Sequence, residues 1–196
     1  MFDIVLRQAV LAGGNISMAR TDKGVAPSVD NRLQELGYLV SEWSSNRTDF
    51  IPELTKTLST ASKKQTNNIG LPDRIYINTN SKLLILVEEK PLAKDHDNPD
   101  IEKGAISGIK WYLSRFSNAN LDKSLKHFWD YWQILGIAVS GDLQSEYAHK
   151  FSCFSLDCKN ECIKPLPQIT NFMTKEQTNH IIISSAFERT WCRISC

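Results

Sequence analysis

No apolar run in the 196-residue chain approaches the roughly 20 residues that a membrane-spanning helix needs. Phe2, Ile4, Val5 and Leu6 make a short apolar stretch, but Asp3 and Arg7 interrupt it and no basic leader precedes it. A secretory signal is therefore not expected, and a cytoplasmic location without membrane contact is the expectation. A strong charge of one sign is also missing. The chain has 23 Lys and Arg against 22 Asp and Glu, a formal net charge of +1. Composition thus announces no polyanionic partner, and any grip on a phosphate backbone must come from a local patch. The five cysteines, Cys153, Cys158, Cys162, Cys192 and Cys196, are odd in number and contain no paired C-x-x-C framework. Reduced thiols are expected, with a structural zinc site on the C-x4-C-x3-C spacing as the weaker alternative. There is no G-x-x-x-x-G-K-[ST] phosphate loop, so the chain carries no nucleotide-driven motor. Internal repeats and low-complexity tracts are absent as well.

What is present is an acid, Asp73, then fourteen residues, then Glu88-Glu89-Lys90. Arg74-Ile75-Tyr76-Ile77-Asn78 and Leu83-Leu84-Ile85-Leu86-Val87 are rich in β-branched and aromatic residues, and Thr79-Asn80-Ser81 between them is turn chemistry. The pattern predicts a β-hairpin with Asn80-Ser81 as its two-residue loop. Asp73 then stands directly opposite Glu88, and opposed residues share one face with Cβ atoms roughly 4.5–5.5 Å apart. Side chains alternate along a strand, so Lys90 returns to the face of Glu88 while Glu89 points away. A slip of one residue would separate the two acids.

Two carboxylates brought together repel, and one takes up a proton unless a cation neutralises the pair. A hard divalent ion meets that need: Mg²⁺ binds through one or two carboxylates and keeps several waters. Such an ion polarises a phosphoryl oxygen and activates bound water. A lysine beside it can orient that water or stabilise charge building on phosphorus. The plain alternative is a hairpin that ends in surface charges. An apolar run leading straight into Glu88 argues against it, because buried strands rarely end in charges without a use for them.

Around this hairpin the chain is expected to divide into an N-terminal helical region over 1–49, a core over 50–160 and a C-terminal extension over 161–196. Residues 2–11 read as a short helix or strand. Pro27 is expected to open a helix with Val29, Leu33 and Leu36 on one face, ended by Gly37. Asp49 is the expected cap of a second helix burying Ile51, Leu54, Leu58 and Ala61. Residues 62–70, with Lys63 and Lys64, are a polar basic connector or a loop that touches phosphates. Asp100 is the expected cap of a helix over 101–116 with Ile101, Ala105, Ile109, Tyr112 and Phe116 along one stripe, where Gly104 and Gly108 permit close packing. Lys103, Lys110 and Arg115 lie off that stripe as solvated charges or DNA contacts. Residues 134–140 and 149–156 read as further strands, the first of them parallel to 83–87 because a helix intervenes. The fold class is α/β, a mixed sheet flanked by helices. Ile181-Ile182-Ile183 could be strand or helix.

With these elements in order, the residues resemble the PD-(D/E)XK nucleases. Ala61-Ser62-Lys63-Lys64, Gly70-Leu71-Pro72-Asp73 and Leu84-Ile85-Leu86-Val87-Glu88-Glu89-Lys90 carry the resemblance. Ala105-Ile106-Ser107-Gly108-Ile109-Lys110-Trp111-Tyr112 and Gly136-Ile137-Ala138-Val139-Ser140-Gly141 extend it. Together they are similar to the N-terminal nuclease domain of restriction-modification enzymes fused to an adenine-N6 DNA methylase, kin to type I restriction subunits. The resemblance covers roughly residues 50–156 and implies a restriction-endonuclease-like fold and a metal-dependent DNA endonuclease. It implies Mg²⁺, or Mn²⁺ in its place, on Asp73, Glu88 and the backbone carbonyl of Glu89, with Lys90 serving the attacking water. Many members add an upstream acid, for which Glu53 and Glu35 are candidates. Lys63, Lys64 and Lys110 are the candidate DNA contacts. Many relatives carry Gln-x-x-x-Tyr on the helix after the lysine. Tyr112 fits the tyrosine, but Gly108 stands at the glutamine. His96 is expected to be a loop histidine rather than a ligand. No Asn-Pro-Pro-Tyr-like methylase motif is present, so a methylase or specificity domain would be a partner outside this chain. The competing expectation is an inactive nuclease-fold domain that binds DNA or supports assembly.

Overall fold

One mixed sheet of five strands, in the order β1-β2-β3-β4-β5, organises the chain. The computed structural model describes residues 25–43, 51–64, 69–143, 149–158 and 160–178. The expected element over 2–11, the Asp49 cap, Ile181-Ile182-Ile183, Cys192 and Cys196 lie outside these residues. β1 (Arg74–Asn78) and β2 (Leu83–Lys90) pair antiparallel, and β3 (Gln133–Gly141) runs parallel to β2. β4 (His149–Asp157) and β5 (Cys162–Pro165) complete the sheet, each antiparallel to its predecessor. The parallel β2–β3 step is the crossover that the intervening helix requires. Among the described residues no helix is long and apolar enough to cross a membrane.

β2 and β3 are apolar almost throughout because both faces of the sheet are covered. On one face Ile75, Leu84, Leu86 and Ile134 meet Leu54 and Leu58 of α2 (Pro52–Leu58) and Ile109 and Leu113 of α3 (Ala105–Ser114), with Phe116 and Trp129 beyond them. On the other, Tyr76, Leu83, Ile85, Val87, Leu135 and Ile137 meet Val29 and Leu33 of α1 (Val25–Glu35), with Tyr38, Trp43 and Phe172. Each fully buried leucine or isoleucine adds about 1.5–3 kcal/mol of transfer free energy. The two-sided burial therefore anchors β2, the strand that ends in Glu88 and Lys90. α1 and residues 162–178 pack on this same sheet. β5 is a strand that the sequence pattern did not announce.

Other boundaries differ from expectation for local reasons. Strands β1 and β2 end at Asn78 and Leu83, so four residues, Thr79 to Lys82, make the connection. Lys82 takes a positive φ of 56°, and Asn78 Oδ1 accepts the Ser81 N–H at 3.2 Å. The expected register survives, because Arg74 stands opposite Val87. α3 starts at Ala105 rather than 101. Asp100 caps a separate turn, accepting the Glu102 N–H at 2.8 Å, while Gly104 takes the helix N-cap position. Ile51, with no side-chain cap bond, occupies the N-cap of α2, where Pro52 supplies the fixed φ of the first turn. α1 ends as expected: Gly37 has φ 87° and the Tyr38 N–H reaches the Leu33 carbonyl at 3.0 Å.

Glycines set two close approaches. A Cβ on Gly136 of β3 would lie 2.7 Å from Leu113 Cδ1 and 2.8 Å from Ile109 Cγ1, so its absence seats α3 on the sheet. A Cβ on Gly70 would collide with the Ala61 backbone, which cannot yield as a side-chain tip can. The Gly70 N–H also bonds to the Leu58 carbonyl at 3.2 Å, so both ends of the connection between α2 and β1 are pinched together. Gly70→Ala is expected to destabilise the protein by about 1–3 kcal/mol, the usual cost of overpacking. A urea titration of the variant checks this, and an unchanged midpoint would refute the pinch.

Candidate functional site

Glu88 continues the face of β2 that carries Leu84 and Leu86, and so points to α3. Glu89 continues the face of Leu83, Ile85 and Val87, towards α1. Asp73, one residue before β1, falls opposite Glu88 by continuation of the ladder and shares the α3 side with Ile75. The register brings Asp73, Glu88 and Lys90 to one end of one face. Asp73 Oδ2 accepts the backbone N–H of Glu89 at 2.7 Å, which ties the end of β2 to the residue before β1.

Glu88 is buried, with 4% of its side chain exposed, and its Oε1 lies 2.8 Å from Lys90 Nζ and 2.5 Å from Lys63 Nζ. Burial pushes the Glu88 carboxyl above the ordinary range. Asp73 pushes in the same direction, while Lys63 and Lys90 pull against both. Burial likewise draws the Lys63 ammonium below its ordinary value, opposed by Glu88. Two carboxylates and two ammonium groups thus balance one another in charge. Lys90 also donates to the Glu102 carbonyl at 2.7 Å, and Lys63 sits 4.6 Å from the centre of the Tyr112 ring.

α3 shapes this cluster. A Cβ on Gly108 would lie 2.8 Å from Lys63 Nζ and 3.0 Å from Glu88 Oε1. The space beside Gly108 is therefore filled by the Lys63 ammonium group. Trp111 Nε1 donates to the Ala61 carbonyl at 3.0 Å and the Tyr112 hydroxyl to the Leu71 carbonyl at 2.7 Å. Consecutive helix residues thus hold the chain on either side of Lys63 and just before Asp73.

Behind the site, Arg74 is buried and bonded to both Glu89 and Asp30. Burial pushes the Glu89 carboxyl up to about 7, against the pull of Arg74. This clamp joins α1 to both strands of the hairpin. The sequence reading missed it. The available signal was a basic residue opening a strand whose next residues are all apolar, with an acid on the same face of the partner strand.

The other candidate acids and lysines sit on α1, α2, α3 and the turn after α2. Glu53 is half-buried in the first turn of α2. Glu35 pairs with Arg32 at 3.0 Å and lines a separate cavity of about 310 Å³ with Ser28, Asn31 and His149. Among the described residues no group of three or more His, Cys, Asp or Glu side chains is arranged to hold a metal. Lys64 is exposed beside Lys63, and the Lys110 ammonium rests 5.0 Å from the centre of the Phe154 ring. Cys153 and Cys158 are buried in opposite faces of the sheet, and Cys162 is exposed. These three thiols form no common metal site. Burial pushes Cys153 and Cys158 up to about 12, which keeps them as thiols.

His96 lies in a loop, as expected, directly after the short turn Ala93–Asp95, but its ring is buried. It is 3% exposed, with Nδ1 at 3.0 Å from Ser140 Oγ and Nε2 at 2.9 Å from Ser152 Oγ. Burial lowers its pKa from the usual 6.5, with Lys150 acting the same way and Asp97 against. A histidine with a depressed folded pKa stabilises the protein above its unfolded value, and that stability is lost as pH falls through about 6.5. Glu89, with a raised pKa, contributes a slope of the opposite sign. Only the difference between variant and wild type isolates His96. His96→Gln is expected to flatten the fall in Tm on acidification from about pH 7 to about pH 5. Parallel melting curves across that range would remove the histidine from the account.

The cluster of Asp73, Glu88, Lys90 and Lys63, gathered at one end of the β1–β2 hairpin and roofed by a glycine of α3, is the candidate site. No protein-family model matches the chain, and no curated protein or solved structure matches it.

Proposed function

We propose that this chain is a divalent-metal-dependent endonuclease that hydrolyses DNA phosphodiester bonds. In this reading the mixed sheet is a restriction-endonuclease-like core, the nuclease part of a restriction-modification system. The observation that carries it is the meeting of Asp73, Glu88 and Lys90 on one face at the end of the hairpin, with Lys90 Nζ 2.8 Å from Glu88 Oε1. The donor chemistry fits Mg²⁺, with Mn²⁺ as substitute: two carboxylates with hard oxygen ligands, short of a full cage. The Glu89 carbonyl would be the third protein donor. A strand residue directs its N–H and C=O to the same side, and the Glu89 N–H already meets Asp73. Bound there, the ion would supply Lewis acidity and an activated water. Lys90, held between Glu88 and the Glu102 carbonyl, presents a fixed positive charge to the scissile phosphate. The test is cleavage of supercoiled and linear DNA by purified protein in Mg²⁺ and in Mn²⁺. Wild type should cut and Asp73→Ala should not. Absence of both cutting and metal binding in the wild type would defeat the proposal.

One observation favours a second reading. Glu88 already has two ammonium partners, which satisfies a buried carboxylate without a metal. An inactive nuclease-fold domain would bind DNA with a steep salt dependence and no response to divalent ions beyond ionic strength.

A further inference from the structure

We propose that Lys63 and a divalent cation compete for Glu88. Lys63 is the carboxylate's counter-ion until the metal replaces it, and the displaced ammonium group then contacts the DNA backbone. The inference rests on the metal-dependent reading above and adds a role for a residue outside the acid-acid-lysine set.

The geometry points to exchange rather than coexistence. Glu88 Oε1 takes both lysines, at 2.5 Å and 2.8 Å, so a divalent ion on that oxygen competes with them for its lone pairs. Lys90 is the better anchored. It ends β2 and donates to the Glu102 carbonyl at 2.7 Å. Lys63 lies in the turn after α2, and beyond Glu88 its ammonium has the face of the Tyr112 ring at 4.6 Å. A ring face attracts a cation without fixing its direction. Nor can Lys63 step back within the site. The α3 backbone closes over it at Gly108, where even a Cβ would stand 2.8 Å from the ammonium nitrogen. A retained ammonium would also sit against a divalent charge in a buried setting, where repulsion is weakly screened. The Lys63 side chain keeps 11% exposure and adjoins exposed Lys64, so the displaced ammonium group turns to solvent. There two adjacent lysines suit a phosphate backbone.

Lys63→Met tests the exchange because it keeps the stem against Tyr112 and removes the charge. Calorimetric titration with Mn²⁺ in the absence of DNA is expected to show binding about tenfold tighter in K63M than in wild type. In wild type, acylation of Lys63 by an amine-reactive reagent, followed by mass spectrometry, is expected to run several-fold faster with saturating Mn²⁺ than in EDTA. This second measurement needs no variant. For duplex DNA in Ca²⁺, the slope of log affinity against log salt is expected to be steeper in wild type than in K63M by about one, and equal to it in EDTA. Wild type that binds Mn²⁺ with unchanged Lys63 labelling, and with K63M of equal affinity, overturns the exchange and leaves the metal-dependent reading standing. If neither protein binds Mn²⁺, both fall together.

Discussion

Lys90→Ala is expected to slow DNA cleavage in Mg²⁺ by about 10²–10⁴-fold, the range for loss of a positioned acid-base or charge-stabilising group. The fold should survive. Lys90 contributes no apolar layer to the core, and Glu88 keeps Lys63 at 2.5 Å as a counter-ion. The buried carboxylate is therefore not left bare, and the cost of breaking an isolated buried ion pair does not apply in full. Arginine should not rescue the variant. Its guanidinium is a planar fork that stays protonated, whereas Lys90 fits its ammonium between one carboxylate oxygen and one carbonyl. Single-turnover cleavage with a melting curve on the same sample decides the matter. A folded Lys90→Ala protein that keeps most of its rate would make Lys90 an ordinary salt-bridge lysine.

The site could be read this far from sequence because its geometry is local. One hairpin register places Asp73 opposite Glu88, and strand alternation returns Lys90 to their side. The boundary errors did not disturb this, because four connecting residues with Lys82 at positive φ give the same pairing as a two-residue loop. Lys63 was visible as a basic loop residue and a candidate phosphate contact. Its pairing with Glu88 depends on how α3 descends on the sheet, and the glycines at 108 and 136 are faint traces of that in the sequence. The clamp of Arg74 by Asp30 joins residues 44 apart, and local periodicity carries no information across such a distance. The start of α3 was misplaced because Asp100 has the chemistry of a cap and uses it on the preceding turn. His96 lies in a short connection, yet its ring is the link between β3 and β4 through Ser140 and Ser152.

That clamp carries the largest stability effect. Arg74→Met leaves the Glu89 side chain, 8% exposed, buried without its cation, and should cost about 3–5 kcal/mol, as removal of one partner from a buried pair does. Asp30 is more exposed, at 36%, and can turn to water, so Asp30→Asn should cost far less. If the penalty is the stranded carboxylate, neutralising it must relieve part of it. The double variant Arg74→Met/Glu89→Gln should be more stable than Arg74→Met alone by roughly 1–3 kcal/mol, and urea denaturation of all four proteins of the cycle then gives the coupling energy. Additive losses would show that Arg74 acts by packing alone. The consequence reaches the candidate site through the backbone. Glu89 hands its N–H to Asp73 at 2.7 Å while its side chain holds Arg74, the residue after Asp73. The two bonds cross between the same strand ends on opposite faces of the sheet. Releasing the Arg74 side frees the Asp73 side to drift from Glu88. Any cleavage activity should fall with stability in Arg74→Met and return in part in the double variant, although neither changed residue contributes a side chain to the charged cluster.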